Sequence, residues 1–404
     1  MTQANGPHKT ERLPTIAILS SERYPHHDTN TQQIVKNASA LHHAGLSVSL
    51  WVPPQAPFLG KGKERLMRAI RDYYHIPAGL PIRVIPNVPA SDLRLEKFFH
   101  SLVSTLLAVA DRRVDLVYTR NRFIALLAWG LGQPFIFETY RKLGDEHPRI
   151  LRFLGRRTVH PAFVGLVTHS QVAADSMRKA GIPAEKILVL HNGVDVADMR
   201  PVLSKAAARD LLGLSRTAQV VTYTGNMQPN KCVETLIDIA AYLPETIFLL
   251  VGGTPAEVER LRAYAEARSV RNILLPGRQP IAAVSSYLYA ADVLAIPPAA
   301  APLETFGKTV LPFKLFPYLA AGRPIAAPDQ ADMRELLSDG RNALLLETDR
   351  PERNAARIKT LLADPASLEA LGAAALATSE GLTWESRALR FKTWLSRQWE
   401  HPTG

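Results

Sequence analysis

The chain has 404 residues, 47% hydrophobic and 21% charged, with a net charge of +11 and one cysteine. The length favours two domains, and the apolar share excludes disorder, collagen and low complexity for the bulk of the chain. No uncharged apolar run reaches the ~18 residues of a membrane span. Met1 to Leu13 lacks a secretory signal's apolar core, and the lone Cys232 excludes an internal disulfide and a multi-cysteine zinc site, which fits a reducing cytoplasm.

After the polar start, Thr15 to Leu19 reads as a buried strand, an apolar run bounded by polar residues. A polar loop with Pro25, His26 and His27 follows. Thr31 to Ala44 has Ile34, Ala38 and Leu41 spaced for one helix face, with Gly45 as its C-cap. Ser47 to Val52 alternates as a second strand, stopped by Pro53 and Pro54. Strand, helix and strand require parallel pairing with a right-handed crossover. The pattern recurs at residues 82–85, 116–118, 135–137 and 166–168, and this first series ends near Asp195. A second series has strands at 220–223, 247–251, 273–275, 293–296 and 324–327, with helices at 233–243, 256–268, 281–290 and 315–321. Pro351 to Glu400 reads as helices carrying Trp384, Trp394 and Trp399. Two alternating series imply two doubly wound α/β domains facing across a cleft. The expected bounds are 14–198, 199–380 and a C-terminal helix, 381–404, that crosses back to brace the first domain.

The chemistry-bearing pieces cluster at expected strand ends. The chain has neither G-x-G-x-x-G nor G-x-x-x-x-G-K-[ST], which argues against a dinucleotide dehydrogenase and a P-loop NTPase. Instead, Tyr223-Thr-Gly225-Asn226 leads to Lys231 just before a helix. A glycine that admits close backbone approach, a helix N-terminus and a cation together suit a diphosphate. Gly252 and Gly253 end the next strand, and Gly277-Arg278 the one after. On the first domain, His26 and His27 follow the first strand, and His169 follows the strand at 166–168. These read equally as loop or structural histidines. Ser170 reads as a helix N-cap.

These pieces resemble the nucleotide-sugar domain of GT-B glycosyltransferases, in particular the retaining family-4 enzymes ("glycosyl transferases group 1"). The resemblance rests on His191-Asn-Gly-Val-Asp195, Tyr223-Thr-Gly225 with Lys231, Leu249 to Gly253, and Tyr287 to Asp292 with Ile296-Pro297. Pro312-Phe-Lys314 to Ile325 and Asp339 to Leu345 complete it. It covers residues 165–348, with a looser match at Asp115 to Arg120 and Phe135 to Tyr140. It implies a GT-B fold and transfer from a nucleotide-sugar donor to a glycan, lipid-linked or other envelope-type acceptor with retention, with no cofactor and no required metal. Lys231 and Glu304 are the implied catalytic residues. Gly225, Asn226, Lys231, Gly252, Gly253, Arg278, Phe306, Gly307, Lys308, Thr309 and Lys314 are implied on the donor. His26, His27, Glu138, Tyr140 and His169 are implied on the acceptor.

The sequence also departs from the family pattern. Asn226 stands where an arginine is common, Cys232 follows Lys231 in place of glycine, and Tyr140 replaces a histidine. Thr309 and Pro317 occupy the positions of a glutamate pair that grips the donor. The alternative readings are a catalytically degraded GT-B protein that binds a sugar nucleotide, glycan or partner enzyme, and a sugar-nucleotide epimerase.

Charge adds a partner. Residues 1–199 hold 25 Lys/Arg and 16 Asp/Glu, against 23 and 21 in the rest. The basic excess of the first half suits an anionic membrane surface. Two basic amphipathic stretches, Lys61 to Arg71 and Arg141 to Arg157, suit the headgroup layer. Aromatic platforms among them are sparse, which argues against nucleic acid. The expected location is cytoplasmic, peripheral at the inner membrane face.

Overall fold

The computed structural model describes residues 12–26, 28–54, 62–88, 95–147, 160–300 and 311–400. Two parallel sheets form the molecule. The first contains β1 (Ile16–Leu19), β2 (Val48–Val52), β3 (Ile82–Val84), β4 (Leu116–Thr119), β5 (Phe135–Thr139), β6 (Phe163–Thr168) and β7 (Ile187–Val189), in the order β3-β2-β1-β4-β5-β6-β7. The second contains β8 (Gln219–Thr224), β9 (Thr246–Val251), β10 (Ile273–Gly277), β11 (Val293–Ala295), β12 (Ile325–Pro328) and β13 (Leu344–Leu346), in the order β10-β9-β8-β11-β12-β13.

Helices cover both faces. In the first domain they are α1 (Thr29–His43), α2 (Lys63–Tyr74), α3 (Leu95–Ala110), α4 (Arg122–Gly130), α5 (Leu143–Glu146) and α6 (Gln171–Lys179). In the second they are α7 (Lys205–Leu211), α8 (Glu234–Ala240), α9 (Pro255–Glu266), α10 (Ile281–Ala290), α11 (Leu315–Ala320), α12 (Pro351–Leu362) and α13 (Pro365–Ser379), and α14 (Trp384–Glu400) closes the chain.

Strand β1 shows why these runs are apolar throughout. Ile16 and Ile18 point into the layer under α1 and α14, while Ala17 and Leu19 point into the layer under α3 and α4. A parallel strand covered on both faces has no polar side to show. The expected strands and helices are all present. The sequence reading missed β7 and β13, edge strands of three residues each.

The chain returns to its first domain at the end. Leu382 accepts the Val194 N–H at 2.8 Å, and a Cβ on Gly193 would meet the Trp384 nitrogen at 2.3 Å. Only a glycine lets the two segments touch there. Helix α14 then lies on α1. Its Ala388, Phe391 and Leu395 join the first domain's core, with the Phe391 ring edge-on to Tyr118 at 5.5 Å. The C-terminal helix is therefore part of the first domain's packing, as expected.

The basic stretches fare differently. In α2, Ile70 is buried and Leu66 and Met67 pack on the core, with Lys63, Arg65 and Arg68 exposed. This is an ordinary solvated charged face, and its apolar side is not available to a headgroup layer. Lys61 lies outside the described residues, as do Arg149, Arg152, Arg156 and Arg157; Arg141 pairs with Glu146 at 2.7 Å. Among the described residues no helix is long and apolar enough to cross a membrane.

Replacing Phe391 by Ala empties a fully buried site far from its own sequence neighbours. The expected loss is about 3–5 kcal/mol, read as an earlier urea transition of the first domain by circular dichroism.

Candidate active site

Each sheet has one point where strand order reverses, between β1 and β4 and between β8 and β11. Ligands of open α/β sheets bind outside the carboxyl ends of strands at such points. Here the two sets of strand ends face each other across a single cleft of about 860 Å³.

The wall from the second domain is built on glycines. Gly225 leaves β8 at φ 137° and Gly252 leaves β9 at φ 130°, conformations that side chains rarely adopt. A Cβ on Gly252 would sit 1.9 Å from the Gly225 carbonyl oxygen, so the two turns are in contact. The Tyr318 hydroxyl accepts the Thr224 N–H at 2.7 Å and pins the chain just before Gly225. The Tyr223 hydroxyl donates to the Asn226 carbonyl at 2.5 Å and holds the next residue. The result is bare backbone opening onto the cleft.

Two lysines face this backbone. Lys231 ends a short 3-10 turn, Pro229–Lys231. The residue after it, Cys232, adopts φ 50°, a backbone shape that glycine takes more cheaply. Lys314 reaches from the start of α11, with Nζ 3.5 Å from the centre of the Tyr223 ring. Burial, then the charge of Lys231, pushes the Lys314 amine well below the ordinary lysine value. Burial also lowers Lys231. Among the described residues no carboxylate pairs with Lys314. Two desolvated ammonium groups above glycine backbone form a site for a multiply charged anion. Gly253, Asn226 and an exposed Arg278 line the same wall, as does Pro317, which brings no carboxylate.

The wall from the first domain contains His26, Arg120, Tyr140 and His169. The Tyr74 hydroxyl clamps His26 by its backbone, donating to the carbonyl at 2.8 Å and accepting the N–H at 2.9 Å. Arg120 donates to the Gln33 side chain at 2.7 Å. The exposed Tyr140 ring lies 6.3 Å from the His169 ring.

Glu138 lies behind this wall instead of on it. It is buried, and its carboxylate accepts from Tyr118, His169 Nε2 and, at 3.0 Å, Arg387 Nη2. Arg387 also bonds Asn37 and, at 3.2 Å, the His191 carbonyl. Burial alone would raise the Glu138 pKa; Arg387 and His169 reverse this and hold it well below the carboxylate range. Burial lowers His169 to about 4 against the pull of Glu138. His169 Nε2 is the ring nitrogen that meets the carboxylate. The expected direct contact between Glu138 and an acceptor is thus corrected: its oxygens are already occupied, and it orients His169.

Charges also hold the end of the first domain and its contact with the second. Lys36 of α1 is buried and bonds Asp195 at 2.6 Å and Asp198 at 3.0 Å. Glu335, of the second domain, accepts the N–H groups of Gln171 and Val172 at 2.8 and 2.9 Å and His191 Nε2 at 2.9 Å. It caps α6 of the first domain together with Ser170, whose hydroxyl accepts the Ala173 N–H at 3.2 Å as expected. Among the described residues, every acid lining the cleft has a cationic partner or a histidine: Glu22 with Lys97, Asp28 with His26, and Asp195 and Asp198 with Lys36. Among the same residues no three potential metal ligands gather.

The cleft thus unites Gly225, Asn226, Lys231, Gly252, Gly253, Arg278, Lys314, His26, Tyr140 and His169. His27, Glu304, Phe306, Gly307, Lys308 and Thr309 lie outside the described residues. Sequence reasoning missed Lys36, Arg120, Tyr318, Glu335 and Arg387. Tyr318 lies inside one motif of the resemblance, Arg120 ends another and Glu335 precedes a third, whereas Arg387 carried no local signal.

Two facing doubly wound domains, a shared cleft and a helix returned to the first domain define the GT-B class. The family model "Glycosyl transferases group 1" matches residues 218–364, and "Glycosyltransferase Family 4" matches 32–198. D-inositol 3-phosphate glycosyltransferase of Segniliparus rotundus is 31% identical over 255 residues, 61% of this chain and 55% of that protein. The same-named protein of Thermobispora bispora is 28% identical over 393 residues, 88% of this chain and 87% of its own. The chain thus spans little more than half the length of some curated relatives that it matches. Among solved structures, Anabaena HepE in complex with UDP-glucose superposes with a TM-score of 0.69 at 19% identity, covering 95% of this chain and 99% of that one. Sucrose-phosphate synthase of Thermosynechococcus elongatus does so at 0.72 and 19%, covering 96% and 99%. The chain belongs to the family-4, group 1 glycosyltransferases of GT-B fold.

Replacing Arg387 by Met leaves Glu138 as an unpaired buried charge. The expected cost at pH 7 is about 3–5 kcal/mol. A depressed carboxylate stabilises the fold above its unfolded pKa of about 4.3 and ceases to do so as pH falls through the folded value. The unfolded chain is common to both proteins, so the difference should shrink as pH falls through the variant's Glu138 pKa, which burial without Arg387 places above the usual value of about 4.3. Urea titrations across that range measure it.

Proposed function

We propose that the protein transfers a sugar from a nucleoside diphosphate sugar to an acceptor hydroxyl, with retention at the anomeric carbon. The observation that carries this reading is the pair of desolvated lysines, Lys231 and Lys314, over the touching glycine turns Gly225 and Gly252. The donor diphosphate lies there, with Asn226, Gly253 and Arg278 beside it. A uridine diphosphate sugar is the first donor to test, because the neighbouring HepE structures hold UDP and UDP-glucose. Glu304 to Thr309 supplies the remaining donor contacts, with Glu304 taking the ribose in place of the carboxylate that Pro317 lacks.

The acceptor lies against His26, Arg120, Tyr140 and His169. It is a glycan, a lipid-linked or other envelope-type polyol, and the named activity of the curated relatives makes a phosphorylated inositol one candidate. The bond from the anomeric carbon to the leaving phosphate oxygen breaks with its electron pair going to that oxygen, and the two lysines neutralise the charge. The acceptor oxygen bonds the anomeric carbon on the same face and gives its proton to the departing phosphate. Retention rests on the resemblance to the retaining family-4 enzymes. No metal or cofactor enters these steps. The reaction takes place in the cytoplasm, on an acceptor presented at a membrane face. Binding without catalysis is the second reading, favoured by Pro317 on the cleft wall.

Incubation with UDP-, GDP- and ADP-sugars, followed by nucleoside diphosphate release, tests the proposal. Absence of release with every donor, alongside tight nucleotide binding, selects the second reading. Lys231→Ala should lower turnover about 100-fold, the effect of about 3 kcal/mol of lost charge stabilisation.

A pH signature follows from Lys314. A bound diphosphate favours the ammonium form and returns the depressed amine towards its ordinary value. Binding then takes up a proton, and nucleotide affinity falls as pH rises through the depressed free-site pKa while staying level below it. Calorimetry in two buffers of different ionisation enthalpy measures the uptake, which Lys314→Met should reduce to the part that Lys231 supplies.

A further inference from the structure

Helix α3 is packed inside out. Its buried positions are Glu96, His100, Ser101, Ser104, Thr105 and Ala108. Six of its exposed residues, Leu95, Phe98, Phe99, Leu102, Leu106 and Val109, are each 39–55% accessible, with Leu107 and Ala110 exposed beside them. These six fall on one stripe at helical spacing, the reverse of a helix whose apolar side faces a core. The inward hydroxyls bond locally: Ser101 donates to the Lys97 carbonyl at 2.6 Å, and Thr105 donates to the Ser101 carbonyl at 2.7 Å. The buried His100 ring is the exception, with neither nitrogen hydrogen-bonded among the described residues. The helix leaves a stripe of about 24 Å facing outward. Leu126 and Leu131 of the α4 segment are also about half exposed, and Phe98 meets Phe123 edge-on at 5.4 Å. Apolar area of this kind marks a contact surface.

Charge selects its occupant. Arg112 and Arg113 follow α3 and Arg122 opens α4, all exposed. Neither helix exposes an acid: α4 has none, and Glu96 of α3 is buried. Arg112 and Arg122 pair with no carboxylate among the described residues. An apolar face with a rim of one sign suits a bilayer with anionic headgroups. An isologous dimer would instead set that rim against itself. The stripe also begins at the cleft: Lys97, in the first turn of α3, bonds Glu22 at 2.7 Å, and both line it.

We infer that the exposed face of α3, extended by Leu126 of α4, docks on an anionic phospholipid bilayer. Phe98, Phe99, Leu102 and Leu106 enter the acyl boundary, and Arg112 and Arg122 meet headgroup phosphates. Given the transfer proposed above, a lipid-carried acceptor reaches the cleft along α3.

Co-sedimentation with phosphatidylcholine vesicles, with and without phosphatidylglycerol, tests the inference on the full chain. The protein should pellet with the phosphatidylglycerol vesicles and much less with phosphatidylcholine alone. Phe98→Ser, Leu102→Ser and Leu106→Ser together should cut partitioning about tenfold or more, as expected for lost apolar insertion. Arg112→Ser with Arg122→Ser should weaken binding and flatten its salt dependence. Unchanged thermal melting and UDP binding in both variants separate this result from misfolding and from failure of the donor site. A parent protein that stays in the supernatant, equal pelleting with both vesicles, or a triple variant that pellets like the parent overturns the inference. So does a parent dimer in light scattering that the triple variant converts to a monomer.

Discussion

Under the cleft, one buried carboxylate gathers distant parts of the chain. Glu138 ends a central strand of the first sheet, and Arg387 arrives from the last helix. Their contact lies beneath His169 and beside Asn37 of α1. A buried charge is costly unless it is paired and its lone pairs are filled. Tyr118, His169 and Arg387 meet that requirement together, so removing one exposes the others. The orientation of His169 and the anchoring of α14 beside α1 both answer this single electrostatic demand.

The opposite wall works by the reverse principle. Lys314 stands in a poorly solvated place without a carboxylate of the described chain, and its depressed amine records the strain of that placement. The protein holds one site where a buried charge is matched and another where a buried lysine has no carboxylate among the described residues. The first orients side chains. In the transfer proposed above, the donor diphosphate completes the second, and affinity then rests on a desolvated amine as well as on shape.

Much of this was legible in the sequence, for identifiable reasons. Alternating apolar runs and helices fixed two doubly wound sheets because a covered parallel strand has no polar side. Gly225, Gly252 and Lys231 were legible because phosphate chemistry needs bare backbone and a cation at a strand end. Lys314 was recognised only through its family motif. The role of Glu138 was not legible, since an acid after a strand reads as a ligand and its partner lies 249 residues away. Periodicity would place a stripe on α3 without saying which side faces in. The short edge strands β7 and β13 carry too few residues to show a period at all.

Glu335 has a consequence for motion. Its carboxylate comes from one domain and holds the first free amides of a helix in the other, at Gln171 and Val172. Those two protons are protected by a bond that parts only when the domains part. Elsewhere in a helix's first turn, exchange with solvent reports local fraying. Here, exchange at two backbone positions serves as a clock for the opening of the whole cleft.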